Sequence, residues 1–444
     1  VEKFDSIDFH NRHRRGRSKL LPVYSDPGFL VRLEAIDKAL LSGEFGGSAQ
    51  RAMDLLRRYG EVLGAECFID IVSAHIDSCL YHGASGLDFV RSLLDDHRQV
   101  RVPTTLNVAA FDLEHPERSD VPAETVAIQQ EMVKGYLELG CLPTMTCAPY
   151  QRSRRPGLGQ HVAWAESNAI VFANSVLGAR TDRYGDFTDI CAALTGRVPL
   201  AGLHRPENRH ATLVVEVPSP GRCRMERDLY FASLGYLLGE HAASRVAAIV
   251  GAPGDSTEDE LKALGAAAAS SGAVALFHLV GVTPEAADLD EAIGRRSASP
   301  EYCVISASEV RGVPLHLCAA REGEPVAAMC VGTPHFSLDE FRRLAGMVAG
   351  RHAAPGVRVL VSTSREVRAA AEVAPWFEAI DAFGIEIIMD TCTYLLPARM
   401  PASGVVVTNS AKWAHYAPAT IDRRPVLMSL ERCLRCAEKG EVVG

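Results

Sequence analysis

Twelve cysteines are spread through the 444 residues, and three of them stand in settings suited to holding a metal. Cys147, in Thr-Cys-Ala-Pro-Tyr, and Cys392, in Asp-Thr-Cys-Thr-Tyr, each follow a short β-like run and sit in a polar turn. Cys433 lies near the C-terminal end in Ser-Leu-Glu-Arg-Cys-Leu-Arg-Cys, one helical turn before Cys436. Widely separated thiolates gathered at sheet edges suit an iron–sulfur cluster or a zinc ion. The spacing alone leaves the matter open, because a single CxxC has no second pair to complete a zinc ribbon. No Cys–His–Asn order marks a nucleophilic cysteine. Cys67, Cys79, Cys191, Cys223, Cys318 and Cys330 fall in apolar or helical surroundings and read as small buried hydrophobes.

The stretch from Cys141 to Asp186 collects further polar groups around Cys147. After the turn at Pro149 comes a loop with Arg152, Arg154 and Arg155. An apolar segment then carries Glu166, Ser167, Asn168, Asn174 and Ser175, residues that an ordinary core helix avoids. It closes at Gly178, and Arg180, Thr181, Arg183, Tyr184 and Asp186 follow. Such a pattern reads as the wall of a pocket. Arg180, Arg183 and Lys412 could clamp a carboxylate; each could equally pair with a neighbouring acid or cap a helix.

The elements that must position these groups alternate. Ala52, Leu55, Leu56, Tyr59, Val62 and Leu63 mark one face of a helix, and Cys67–Asp77 reads as a buried strand ending at Ser73, His75 and Asp77. His75 is an ordinary structural histidine unless other polar groups meet it. A second strand carries Thr104, Thr105 and Asn107, and a helix lined by Ile128, Met132, Tyr136 and Leu139 stops at Gly140. Residues 211–300 are a bland run of apolar strands and Ala-rich helices. In the last third, strands lead into Thr333-Pro334-His335, Ser362-Thr363-Ser364, Asp390-Thr391-Cys392 and Thr408-Asn409-Ser410 with Lys412. Capping boxes at Ser337/Glu340 and Thr363/Glu366 mark helix starts between them. Strand–helix alternation predicts α/β domains with largely parallel sheets, and places these polar motifs at the carboxyl ends where such sheets bind ligands. We divide the chain into an arm (1–40), an α/β domain with Cys147 (41–210), a small α/β domain (211–300) and an α/β domain with Cys392 and Cys433 (301–444).

Composition excludes some partners. A net charge of −9 argues against nucleic acid, no apolar run reaches a membrane span, and the absence of a secretory pattern points to the cytoplasm with reduced thiols.

Several stretches carry a resemblance: PTMTCAPY, AWAESNAIVFANSVLGARTDRYGDF, GRVPLAGLH, GTPHFSLDE, MDTCTYLLP, TNSAKWAHYAP and SLERC. Together they resemble the large subunit, or catalytic part, of the aconitase X family, over nearly the whole chain from about residue 40. The resemblance implies an aconitase-like fold and an iron–sulfur-dependent hydro-lyase, of a nuclearity it does not specify. Its two associated activities dehydrate cis-3-hydroxy-L-proline to pyrroline-2-carboxylate, or mevalonate 5-phosphate. Carried over by position, Cys147, Cys392 and Cys433 ligate the cluster. His75, Thr105, Asn174, Arg180, Thr181, Arg183 and Ser410 would bind the substrate, a small hydroxy acid. Lys412, His415 and Ser175 are the candidates for proton transfer and catalysis. Gly332-Thr333-Pro334-His335 stands where the archaeal phosphomevalonate branch has a cysteine in GCPH, which favours the hydroxyproline type. The Gly-Arg-Gly-Ser-Ser-Ser run of the family's small swivelling domain is not found here. A separate small subunit, forming a heterodimer, is therefore expected to complete the site. A non-catalytic ligand-binding relative is the remaining alternative.

Overall fold

The computed structural model describes residues 31–118, 121–294, 299–318, 320–396 and 403–443. The basic N-terminal arm lies mostly outside these; its last residues, from Ala35, already form the helix Ala35–Ser42, anchored by Arg197. That buried guanidinium bonds Asp37 at 2.9 Å, Glu34 at 2.8 Å and Asp70 at 2.8 Å.

The first group of strands is β1 (Phe68–Asp70), β2 (Ala74–Ile76), β3 (Thr104–Leu106), β4 (Ala163–Trp164) and β5 (Arg197–Pro199). The run expected to be one strand from Cys67 is thus two. β1 pairs antiparallel with β5, whereas β2 is the centre of a parallel sheet of order β3-β2-β4. The break falls at Ile71–Ser73, where the chain bonds Gly196 and His161 instead.

The three-stranded sheet has two unlike faces. His75 is in register with both Thr105 and Trp164, so these side chains share a face, and alternation places Ser73, Asp77, Asn107 and Glu166 on it too. The opposite face presents Ala74, Ile76, Leu106, Ala163 and Ala165 to the domain core. One side of this small sheet is apolar; the other is a row of hydrogen-bonding and ionisable groups.

The second group is β6 (Leu213–Glu216), β7 (Ala247–Val250), β8 (Phe277–Leu279) and β9 (Glu301–Val304), a parallel sheet of order β8-β7-β6-β9. The third is β10 (Val326–Val331), β11 (Arg358–Ser362), β12 (Ile385–Ile388), β13 (Val405–Thr408) and β14 (Pro425–Leu427). It too is parallel, of order β12-β11-β10-β13-β14. The chain winds outward from β10 to β12 and returns to β13 beside β10. Loops leaving β10 and β13 diverge there, opening the crevice at which doubly wound sheets place ligands. Gly332 makes the first of these turns at φ +87°, and a Cβ there would meet Ser362 O at 2.2 Å. Only glycine fits. Among the described residues no helix is long and apolar enough to cross a membrane.

Candidate metal centre and active site

The first and third sheets face each other across the carboxyl ends of their strands, joined by polar bonds and by two apolar patches, one around Phe111 and one in which Val108 meets Cys147 and Cys392. Asp390, at φ +63°, receives Ala109 N on its carbonyl at 2.7 Å and Leu113 N on its carboxylate at 3.2 Å. Thr146 Oγ1 meets His335 Nδ1 at 3.0 Å, and Gln151 Nε2 donates to His335 O at 2.9 Å. These bonds fix Cys147, from the first domain, against Cys392 and His335 of the third. The ligand atoms of Cys147, His335 and Cys392 all lie within 4.8 Å of one another, and all three residues are buried.

The two thiols share their protons unequally. Burial alone pushes the Cys147 thiol up, but the Cys392 thiol donating to it, with His335 and Lys412 close by, brings it down to about 6. Cys392, as the donor, is pushed well above the ordinary thiol range, and burial adds to this. His335 N also donates to Cys147 Sγ at 3.3 Å. A buried thiolate is thereby prepared before any metal arrives.

Glu166 and Lys412 form the second half of the site. Glu166 caps the helix Ser167–Ser175, accepting Ala169 N at 2.8 Å. Lys412 lies in the first turn of Ala411–Thr420, behind the cap Ser410. A cation there opposes the helix dipole, so its position is explained by its partner: Lys412 Nζ donates to Glu166 Oε1 at 2.7 Å, both side chains buried. Burial works against each charge, and the pair overcomes it. Lys412 is held well above its ordinary value and Glu166 below its own. The field of Glu166 reaches His75, Asp77, Cys147, Tyr150, Cys392 and Tyr394. This carboxylate is the electrostatic hub of the site.

In the sequence Glu166 stands out only as an acid in an apolar segment, and His335 only as a histidine after a strand. His335 Nε2 meets Thr391 O at 3.2 Å while Nδ1 faces Thr146. As the carbonyl can only accept, Nε2 carries the proton, and Thr146 holds the other nitrogen. His335 positions the thiols as it stands and becomes a ligand only by giving up one of these bonds.

Other expected residues fall elsewhere. Cys433 does not join the thiol pair: it is buried in the third-domain core, with Sγ 3.8 Å from Met428 O, and its helix Leu430–Lys439 packs its apolar face there. Among the described residues, which include all twelve cysteines, no third thiol stands beside Cys147 and Cys392. Ser175 is a structural link, its Oγ accepting Phe277 N at 2.9 Å. Asn174 spends its amide on Thr181 O and Ala275 O, both at 3.0 Å, and its oxygen on Thr181 N and Arg209. Thr181 Oγ1 is taken by the Trp164 backbone. His415 packs between Tyr236 and Tyr416, with Glu240 as its charged neighbour. Arg183 Nη1 donates to Ala273 O at 3.0 Å, beside a cavity of about 280 Å³ lined also by Ala165 and Ser167. Arg180 pairs by backbone with His161. That is the other end of β4 from Glu166, about 15 Å away at the rise of a strand. Ser410 caps its helix, accepting Trp413 N at 3.1 Å and donating to Thr333 O. His75 and Thr105, by contrast, are brought together on the polar face, Nδ1 to Oγ1 at 2.8 Å. Asp77 stands above them, bonded by Asn107 and raised to about 7, chiefly by burial.

Among the described residues, the buried atoms at the site without a hydrogen-bond partner include Thr333 Oγ1, Thr391 Oγ1, His75 Nε2, Asn107 Oδ1 and Gln151 Oε1. Thr391 adjoins Cys392 and Thr333 shares the turn that carries His335, and buried hydroxyls are seldom left so. Soft thiol donors, a prepared thiolate and orphaned hydroxyls fit a metal-containing group held by Cys147 and Cys392.

The architecture and the buried thiols together mark a class: multidomain α/β proteins with a Cys–His–Cys group suited to a metal between two parallel sheets. Models of the aconitase X first, second and third domains match residues 30–207, 211–313 and 326–439. The chain belongs to the aconitase X family. It is 42% identical to the cis-3-hydroxy-L-proline dehydratase of Hypocrea jecorina, over 94% of this chain and 70% of that one. The enzyme of the same name from Pseudomonas aeruginosa is also 42% identical, over 92% and 70%. The phosphomevalonate dehydratase large subunit of Methanothermobacter thermautotrophicus is 36% identical, over 87% and 94%. Among solved structures, aconitase X of Thermococcus kodakaraensis in its holo-form superposes with a TM-score of 0.79 at 29% identity, covering 92% of this chain and all of that one.

Proposed function

We propose that this chain is the catalytic part of a hydro-lyase that dehydrates cis-3-hydroxy-L-proline to pyrroline-2-carboxylate, with an iron–sulfur group on Cys147 and Cys392. The observation that carries this reading is the placement of the thiol pair beside the buried Glu166–Lys412 ion pair, at the carboxyl ends of two facing sheets. The likeness to two dehydratases of that name supports the choice of substrate.

When bound, the iron–sulfur group supplies a Lewis acid for the hydroxyl on C3. The protein supplies the remainder. Lys412, kept cationic by Glu166, offers an ammonium to the substrate carboxylate. Because it is held so firmly as a cation, it serves as a charge and not as the proton-abstracting base. Burial sets most of the protonation states around Glu166, its carboxylate adds a further field at each of them, and burial of the thiols excludes water.

Mevalonate 5-phosphate is the alternative substrate, and it needs a phosphate pocket. The best local cations are Arg152, Arg154 and Arg155. Two of these are already engaged: Arg152 pairs with Glu366 at 2.8 Å, and Arg155 makes a two-pronged pair with Glu258 at 2.8 and 2.7 Å. This favours the imino acid. A small swivelling subunit, or its equivalent, is proposed to close the site; several relatives are named as large subunits. Assaying both substrates with anaerobically reconstituted protein and that partner tests the reading. Turnover of cis-3-hydroxy-L-proline is expected; turnover of mevalonate 5-phosphate alone would reverse it.

A further inference from the structure

We propose that His75 is the catalytic base, taking the proton from the carbon next to the substrate carboxylate through Nε2. Its geometry is that of a held, unoccupied acceptor. The ring is fully buried; Nδ1 is tied to Thr105 Oγ1 at 2.8 Å, and Nε2 has no partner. Thr105 Oγ1 has Ala74 O at 3.4 Å to receive its own proton, which leaves its lone pair for Nδ1–H. That tautomer exposes the lone pair on Nε2. Burial lowers the imidazole to about 4, so the ring is neutral at working pH and its Nε2 lone pair is free of a proton. The Glu166 carboxylate, the charge that acts on it, steadies the imidazolium formed on proton transfer.

The surroundings are right for a small ring. His75 occupies the middle of the row Thr105–His75–Trp164. A cavity of about 490 Å³ is lined by Thr105 and Trp164, the residues flanking His75 in that row, together with Ser73, Pro149 and Arg152–Pro156; His75 itself, fully buried, is not in its lining. Stereochemistry adds a requirement. In cis-3-hydroxy-L-proline the hydroxyl and carboxylate share a ring face, so the C2 hydrogen is on the other. The base and the group that takes the hydroxyl must therefore flank the ring from opposite sides. In this proposal His75 takes one side of the ring and the group held by the thiol pair takes the other. Glu166 acts on both, while neither thiol is among the charges acting on His75.

The step balances without a co-reactant. The C2–H pair becomes the C2–C3 double bond, the proton passes to His75 Nε2, and the C3–O bond breaks with its electrons on oxygen. The departing hydroxide takes up a proton and leaves as water. The enamine then moves its N–H proton to C3, giving the C2=N bond of pyrroline-2-carboxylate. His75 returns its proton to solvent.

This inference rests on the dehydratase reading, and the test separates the two. His75→Asn keeps a group at the Nδ1 position for Thr105 but has nothing at Nε2; His75→Gln reaches the Nε2 position without basicity. Both variants are compared with the wild-type protein, metal-loaded and with its partner, on cis-3-hydroxy-L-proline and on mevalonate 5-phosphate. Each substrate carries a hydroxyl β to its carboxylate and a C2 hydrogen. On whichever substrate the wild type turns over, kcat should fall at least ~100-fold in both variants, the size of a lost general base. KM and iron content should stay within about twofold, and the isotope effect from C2-deuterated substrate should rise. A variant with kcat within about threefold of wild type overturns the inference while leaving the dehydratase reading intact. Wild-type turnover of mevalonate 5-phosphate alone overturns the substrate reading, and His75 is then judged on that substrate. Turnover of neither overturns both.

Discussion

Glu166 carries more of the site than any other single residue. It caps a helix, pairs with Lys412, and sets the field at both thiols and at His75. Replacing it by Gln removes the charge but keeps an oxygen for Ala169 N, so the loss isolates the ion pair. A buried cation left without its partner costs about 3–5 kcal/mol. We therefore expect Glu166→Gln to lower the denaturant midpoint markedly and to abolish turnover; a variant as stable as wild type would show that water already screens Lys412. The same residue shows what single-residue reading can and cannot do. Glu166, Ser167 and Asn168 stand out in the sequence because they interrupt an apolar helix. That Glu166 meets a lysine 246 positions away is not visible before folding. Cys147 and Cys392 stand out in the sequence because each sits in a polar turn; only Cys392 follows a strand, while the run before Cys147 makes a single bridge, Leu142 to Thr105. SLERCLRC is equally the signature of a helix burying one face, and the structure puts Cys433 on such a face, apart from the thiol pair.

At the scale of elements, alternation along β2–β4 turned isolated polar residues into one organised surface. Ser73, His75 and Asp77 are spaced by two in the sequence, and that period already assigns them to one face. Their pairing with Thr105 and Trp164 needed the register. The capping pattern was legible for Ser337, which accepts Glu340 N at 3.1 Å. In the next helix the expected cap Thr363 gives way to Ser364, because Thr363 Oγ1 is used to bind Phe336 O at 2.8 Å. The helix Thr188–Thr195 is tied to the end of β2 through Asp189, which receives Asp77 N at 2.8 Å and Ser78 Oγ at 3.0 Å. Burial raises this carboxyl from 3.8 to about 6 despite those donors. The folded state thus binds its proton more tightly than the unfolded chain. Its contribution to stability is complete below pH ~4 and is lost as pH rises to about 6, a change of up to about 3 kcal/mol. Urea unfolding between pH 4 and 7 should show a slope of this sign, and Asp189→Asn should reduce it even if the variant is less stable at every pH, the Asp77 carboxyl, raised to about 7, supplying the remainder. An unchanged slope in the variant would assign the effect to other groups, Asp77 first.

Across the whole molecule, the second domain acts as a brace. Its Lys262, fully buried, reaches into the third domain to Glu340 and to His335 O at 3.3 Å, and pairs with Asp259 at 3.0 Å. The bland appearance of residues 211–300 concealed this, since one lysine in an Ala-rich helix carries no signal of its distant partner. Lys262→Met should destabilise the chain by about 3–5 kcal/mol through the stranded Glu340 and loosen the His335 loop, with reduced iron retention on gel filtration. Full iron retention would show that the loop is held from the first domain alone. The site lies where the first and third domains meet, and the proposed small subunit is expected to complete it: activity should appear on mixing and be absent from this chain alone.

Everything proposed for the site depends on two thiols from opposite sheets, Cys147 and Cys392, holding the metal centre without Cys433. Anaerobic purification of Cys147→Ser, Cys392→Ser and Cys433→Ser, followed by iron analysis and visible absorption, puts that dependence to the test. The first two variants should lose the iron and the absorbance together, whereas Cys433→Ser should keep both and show only a lower melting temperature. Loss of iron from a folded Cys433→Ser protein, or its retention in either of the others, would contradict the assignment.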